Sequence, residues 1–488
     1  MDIVINEVTY SLPCREFMID YSVSQKRQLP VVKEFIVRFL FIMNTCDPAE
    51  IGNYFGLSDS ELKAVLLDLQ EEKLIKWVEE EEGVVSLTGY ALERFENVDG
   101  KAMPRFFEVD DQFDSVKFDL HSFRVIPKRF SGEYKPNNIE IKPAADAFSN
   151  TTSKIESAFN QQFYSFLEKV KGVDIFNDPK ELYKINEIQI KREFLMPVKV
   201  SYFLDTEDSS HPFMDLEEDV QEWDEDNMVL SAINKSLNEG STPATSQVNQ
   251  LKAYLQSTLD PVLSNFFSDD GLDINSLLSS YEHQNRVYSQ NGRMLVGNLY
   301  TDDNAKLFTE LLKQAGFDKA HKIRSKGAAW LVDANSKMWG RCPELEKFAY
   351  NLLEQFDDRR KPSITLCMNV DSTQEAIALR DRYQSPSVKL QGVTESFCNS
   401  ETEVFIIPGV LVACLFHKAD SNFGSLSLPF GYVTTDESQV DALQEKIWGW
   451  LNSPRSTNNY FERRDVDEKD SVRTKYLEKV LRPTTNNR

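Results

Sequence analysis

The chain has 488 residues, with 55 Lys+Arg against 78 Asp+Glu and a formal net charge of -23. A content of 41% hydrophobic and 27% charged residues is ordinary globular composition, which excludes a mainly disordered or collagen-like chain, and the length calls for two to four domains. The charge argues against nonspecific affinity for nucleic acid or for anionic lipid.

Residues 30–96 carry the clearest local signals. LPVVKEFIVRFLFIMN reads as an apolar helix from Pro30. DPAEIGNYFG follows, with Asp47 as N-cap, Pro48 in the first helical turn and Gly56 as the stop. In LSDSELKAVLLDLQEEKLI, Ser58 and Glu61 form a capping box, and Leu62, Val65, Leu66 and Leu69 repeat at helical spacing. KWVEEEEGVVSL predicts two strands around Gly83, and Thr88 starts a further helix. Three helices, a β-ribbon and a helix, with LTGYA after the ribbon, resemble the winged helix-turn-helix superfamily. The resemblance implies DNA binding through the second helix of the turn and the wing. The residues point elsewhere: Asp59, Glu61, Asp68, Glu71 and Glu72 stand against Lys63 and Lys73, and the wing tip is Glu79, Glu80, Glu81 and Glu82. Residues 47–83 hold 11 acids and 3 bases, a surface that repels a duplex. Protein contact or domain packing is the expected use, ahead of DNA binding.

Between 99 and 200 the segment FFEVDDQFDSVKFDLHSFRVIPKRF alternates like strands, and NIEIKP ends in another. Arg124, Lys128, Arg129 and Lys135, interleaved with Phe123, Phe130 and Tyr134, form a basic cluster that reads either as a weak nucleic-acid grip or as a solvated loop. A helix is predicted over 152–170, then two strands over 186–205 broken at Pro197. Residues 205–226 hold 11 acids and no Lys or Arg, with Phe213, Met214, Leu216, Val220 and Trp223 as sparse apolar anchors. The segment reads as a solvated insertion, as a docking element for a basic partner, or as a cation site without EF-hand spacing.

A helix over 228–239 leads to GSTPATSQ, which reads as a linker or a helix start. Helices follow to about residue 290, and Asp273 reads as an N-cap. From 294 helices and strands alternate, with apolar runs AAWLVD and SITLCMNV suited to central strands. The expected fold class is multidomain, α+β and α/β. It comprises a winged helix at 1–98, a mixed α+β region at 99–240 and a helical connector at 241–293. An α/β domain with a mixed sheet follows at 294–453, and a polar helical tail at 454–488.

Chemistry is sparse. GRMLVGN at 292–298 has phosphate-loop glycine spacing, but Asn298 stands where lysine would be, and no GxGxxG, GxSxG or HExxH occurs. Glu140 and Lys142, with Asp119 upstream, resemble the acid and lysine of PD-(D/E)xK nucleases, which implies Mg²⁺. His417-Lys418, followed by Asp420 and Ser421, resembles a broken half of the phospholipase-D-like motif. Adjacent strand residues point to opposite faces, so that site is expected to be dead. Six cysteines with no CxxC fit a reducing cytoplasm, no apolar run reaches the roughly 20 residues of a membrane span, and the start lacks a secretory signal.

These features together predict a non-catalytic cytoplasmic scaffold without cofactor or membrane association, docking basic proteins through acidic surfaces. The architecture looks like an accessory subunit of a bacterial system handling nucleic acid, such as phage defence. A divergent nuclease or phosphodiesterase using Mg²⁺, and a DNA-binding regulator, are the alternatives. The acidic segments 47–83 and 205–226 hold -19 of the net charge, leaving -4 for the other 429 residues.

Overall fold

The structure is a computed structural model that describes residues 2–27, 29–78, 83–98, 101–130, 135–176, 179–207, 212–238, 247–318, 320–333, 338–370, 372–383, 385–393, 395–419, 426–453, 477 and 480–482. The wing tip Glu79 to Glu82, the linker residues 240–246, Tyr134, Asp420, Ser421 and most of the 454–488 tail lie outside the described residues. The mixed α+β and α/β class is observed. Among the described residues no helix is long and apolar enough to cross a membrane.

The first 27 residues depart from the winged-helix unit in which the sequence reading placed them. Asp2–Arg27 is a single strand of 26 residues, about 85 Å if fully extended. It pairs antiparallel with Lys180–Asp205 from end to end, and over its outer half with Phe106–Asp119. Alternation explains the burial. Phe17, Ile19, Tyr21 and Val23 face one side and pack with Val116, Phe118 and the helical segment carrying Ile155, Phe159, Phe163 and Phe166. On the third strand the apolar residues Leu182, Ile185 and Ile188 recur every three positions, which a regular strand would scatter over both faces. Register shifts between Asp20 and Tyr21 and between Ser22 and Val23 each absorb one residue, so all three pack on the same side.

Pro197 does not break this strand. It sits opposite Ser11 within the ladder, so the two strands expected over 186–205 are one. Arg27 and Phe106 are direct ladder partners. The 78 residues between them are therefore an insertion at the tip of a long arm.

That insertion carries the expected elements: helices Val31–Met43, Pro48–Phe55 and Asp59–Glu71, strands Ile75–Trp77 and Val85–Leu87, and a short helix Gly89–Leu92. The caps are those the sequence signals. Asp47 accepts from the Ala49 N–H (2.8 Å), Gly56 takes the left-handed conformation, and Ser58 and Glu61 form the reciprocal box. Ile36, Val37, Leu40, Ile51, Leu66, Leu69, Val85 and Leu87 close a core of its own.

The C-terminal sheet has eight strands in the order Val287–Ser289, Gly292–Val296, Ser427–Thr434, Leu411–Ala419, Thr402–Ile407, Gly327–Val332, Ser363–Asn369, Val388–Val393. The last three are mutually parallel and the other pairs antiparallel, as a mixed sheet was expected to be. Helices Asp302–Gln314 and Pro343–Leu353 cover one face. Val248–Thr258, Ile274–His283 and Glu437–Leu451 cover the other.

The base of the arm joins this second face. One apolar cluster runs from Ile3, Ile5, Val8 and Tyr10 through Tyr202, Val229 and Leu251 to Val404, Cys414 and Phe430. The glycine spacing in 292–298 serves this junction rather than a phosphate. Gly297 has φ +89°, and a Cβ there would lie 2.6 Å from the Val4 carbonyl oxygen. Asn298 then donates its backbone N–H (2.9 Å) and its side-chain amide (3.2 Å) to Ile5 O.

Candidate interaction surfaces

The arm tip gathers exposed apolar surface. Of 24 large apolar side chains exposed among the described residues, ten lie between Val31 and Leu92, a segment of 62 residues. On the first helix Val32, Phe35 and Ile42 form a stripe at helical spacing beside the half-buried Phe39, which packs on Tyr54 (4.8 Å), and Leu67 and Trp77 are exposed in the same unit. Around these lie seven carboxylates and three ammonium groups over residues 47–78. Lys33 is already held by Asp68 (3.0 Å) and Glu72 (2.9 Å), so it adds no free positive charge.

The acidic segment and the basic cluster of the central region are each other's partners. Phe213–Leu216 is a strand added to the edge of Lys180–Asp205, with Phe213 stacked on Phe203 (5.2 Å). Glu218–Trp223 is a helix in which Val220 and Trp223 are buried, and the Trp223 indole N–H donates to Val125 O (2.9 Å). Arg124 pairs with Glu225 and Asp226, and Arg129 with Asp219 (2.9 Å) and Glu222 (3.2 Å). Leu216 is buried and Met214 half-buried, so the anchors expected to reach a partner mostly pack at home. Lys128 and Lys135 remain exposed.

The two catalytic alternatives are placed as follows. Ile139–Glu140 is a two-residue strand parallel to Tyr10–Ser11, with Glu140 and Lys142 at the surface. Asp119 is fully buried, and its carboxylate accepts from the backbone N–H groups of His121 (2.8 Å), Ser122 (2.7 Å) and Arg124 (2.9 Å) and from the Ser122 hydroxyl (2.7 Å). It caps a turn. Among the described residues no group of three or more His, Cys, Asp or Glu side chains could hold a metal. His417 belongs to the face of its strand that Asp302–Gln314 and Pro343–Leu353 cover, and Lys418 to the opposite face. The His417 ring is buried between Glu403 (Nε2 to Oε2, 2.6 Å) and Ser427 (Nδ1 to Oγ, 3.0 Å). Glu403, also fully buried, accepts from the indoles of Trp330 (2.7 Å) and Trp339 (3.1 Å).

The two ends of the parallel strands differ. At the carboxyl end, where open α/β sheets usually take ligands, Phe397 and Trp450 meet edge to face (5.8 Å) and leave a cavity of only about 10 Å³. The amino end opens into a cleft of about 940 Å³ lined by Lys322, Arg324, Lys326, Arg359, Arg360 and Arg482. The sequence reading named none of these six. The signal was present as HKIRSK at 321–326 and DRRK at 358–361. Summing charge over 429 residues averaged it away.

No family model matches the chain, and no curated protein matches it. Among solved structures it is aligned with TrmBL2, an archaeal chromatin protein described as showing a novel mode of DNA binding. The alignment covers 87% of this chain and 93% of TrmBL2 at 8% identity, with a TM-score of 0.20, a likeness too small to carry an argument.

Proposed function

We propose that the protein is a non-catalytic interaction subunit that docks a basic protein partner through the winged-helix-like unit at the tip of its arm. The observation that carries this reading is the concentration of exposed apolar side chains beside an acidic helix at that tip. Contiguous apolar surface rimmed by charge is the usual composition of a protein interface, and the carboxylates would steer and orient a basic partner. The same carboxylates oppose phosphate, so the helix that would enter a major groove is set against doing so. Catalysis in such an assembly belongs to the partner.

The direct ladder pairing of Arg27 with Phe106 supplies the experiment. Replacing residues 28–105 by an Asn-Gly turn closes the arm as a hairpin. In the native host, cross-linking of the full chain is expected to join Lys-rich peptides of one stoichiometric partner to residues 31–77. The closed-hairpin variant is expected to lose that partner. A partner retained by the variant, or tight duplex binding by the full chain at about 150 mM salt, would overturn the reading.

A further inference from the structure

We propose that the cleft at the amino end of the parallel strands binds single-stranded nucleic acid through its phosphates. Its floor is held by backbone pairing. The Ile323 N–H donates to Gln355 O (2.8 Å), and its carbonyl accepts from the Asp357 N–H (2.9 Å). Ile323 itself is fully buried. Around it Arg324 and Lys326 are exposed and Lys322 is half-buried.

The second row is equally fixed. The Asp357 carboxylate accepts from the Arg359 N–H (3.2 Å) and caps the short turn Asp358–Arg360, which presents Arg359 and Arg360 at the surface. Arg482 follows Leu481, whose carbonyl is held by the Gln444 amide (3.0 Å). Lys322 donates to the Glu354 carbonyl. Arg324, Lys326, Arg359, Arg360 and Arg482 form no ion pair among the described residues. The lining carboxylates, Asp357, Asp441 and Glu445, are outnumbered two to one by the six fixed cations.

Several cations brought into one cleft without ion-pair partners among the described residues suit an anion with one charge at every step. A phosphodiester strand has that, whereas a peptide would need an unbroken acidic run. A cleft, unlike a flat basic face, admits one strand and leaves a duplex on its rim. With Phe317 and His321 the aromatic rings among its described walls, the contact is led by backbone charge and tolerant of sequence. An electropositive cleft on a chain of net -23 also confines the strand to one place.

The test is anisotropy of a labelled single-stranded oligonucleotide of about 12 nucleotides titrated with the full chain at several salt concentrations. Binding is expected, with a slope of log K against log salt of about -3 for four phosphates. The double variant Arg324→Ala, Arg359→Ala is expected to lose at least about tenfold in affinity and to flatten the slope by about 1.4. Its thermal midpoint should hold, since both side chains are exposed and outside the core. The closed-hairpin variant lacking 28–105 should bind the oligonucleotide unchanged, which separates this site from the arm tip. Absence of binding at about 50 mM salt, unchanged affinity in the double variant, equal affinity for a duplex, or equal displacement by polyglutamate would each overturn the proposal.

Discussion

Glu403 shows how the motif candidate His417 becomes structure. A fully buried carboxylate needs donors, and two indole N–H groups and one imidazole provide them. The His417 ring meets the Glu403 carboxylate at Nε2 and the Ser427 hydroxyl at Nδ1, so it is committed on both sides. Glu403→Leu leaves three buried donors without an acceptor and is expected to cost about 3–5 kcal/mol in urea unfolding. Asp260 makes a pH prediction. Burial raises its carboxyl to about 6, against the lowering effect of the Tyr254 hydroxyl and the Leu263 and Val262 N–H groups. Because the folded value exceeds the unfolded 3.8, the group's contribution is full below about pH 4 and is lost as pH rises through 6. Asp260→Asn keeps an acceptor for the N–H groups and removes the titration. It is expected to flatten the pH dependence of the thermal midpoint between about pH 4 and 6.5, a difference on the order of 3 kcal/mol.

At the scale of elements, the acidic segment is held by packing more than by charge. Arg129 is half exposed and its partners are more so, and such pairs contribute about 1 kcal/mol or less. Arg129→Ala should therefore change stability little. Trp223 is buried against Phe130 (5.7 Å) and bonded to Val125 O, and Trp223→Ala is expected to cost about 3–5 kcal/mol. Hydrogen exchange over 213–238 should rise in Trp223→Ala and not in Arg129→Ala. The helices of the arm tip were legible because their stops and starts are local: Asp47, Gly56 and Ser58 act within one turn of themselves. Lys180–Asp205 was not, since its three-residue apolar spacing makes sense only once bulges are set by the strand beside it. The same distance in sequence hid the pairing of Arg124 with Asp226 and the meeting of the 321–326 and 357–360 segments in one cleft.

For the whole molecule, the arm is anchored at its base, while its tip folds around a core of its own. Tyr10 and Tyr202 share a hydrogen bond (2.6 Å) across the arm, and Tyr300 donates to Asn6 (3.0 Å). Closing the hairpin at Arg27 and Phe106 should leave the thermal midpoint of the body within a few degrees of the full chain. Substitutions at Gly297 should lower it, because no side chain fits beside Val4. By itself, the sequence determined the helix caps, the apolar strands of the C-terminal sheet and the excess of negative charge, all properties of residues close in the chain. Only the tertiary structure decided that the first strand spans two cores, that two arginines of the central cluster pair with four carboxylates of the acidic segment, and that five cations stand together without an ion pair among the described residues. Those depend on contacts between residues tens to hundreds of positions apart, and composition, which sums charge without placing it, cannot show them.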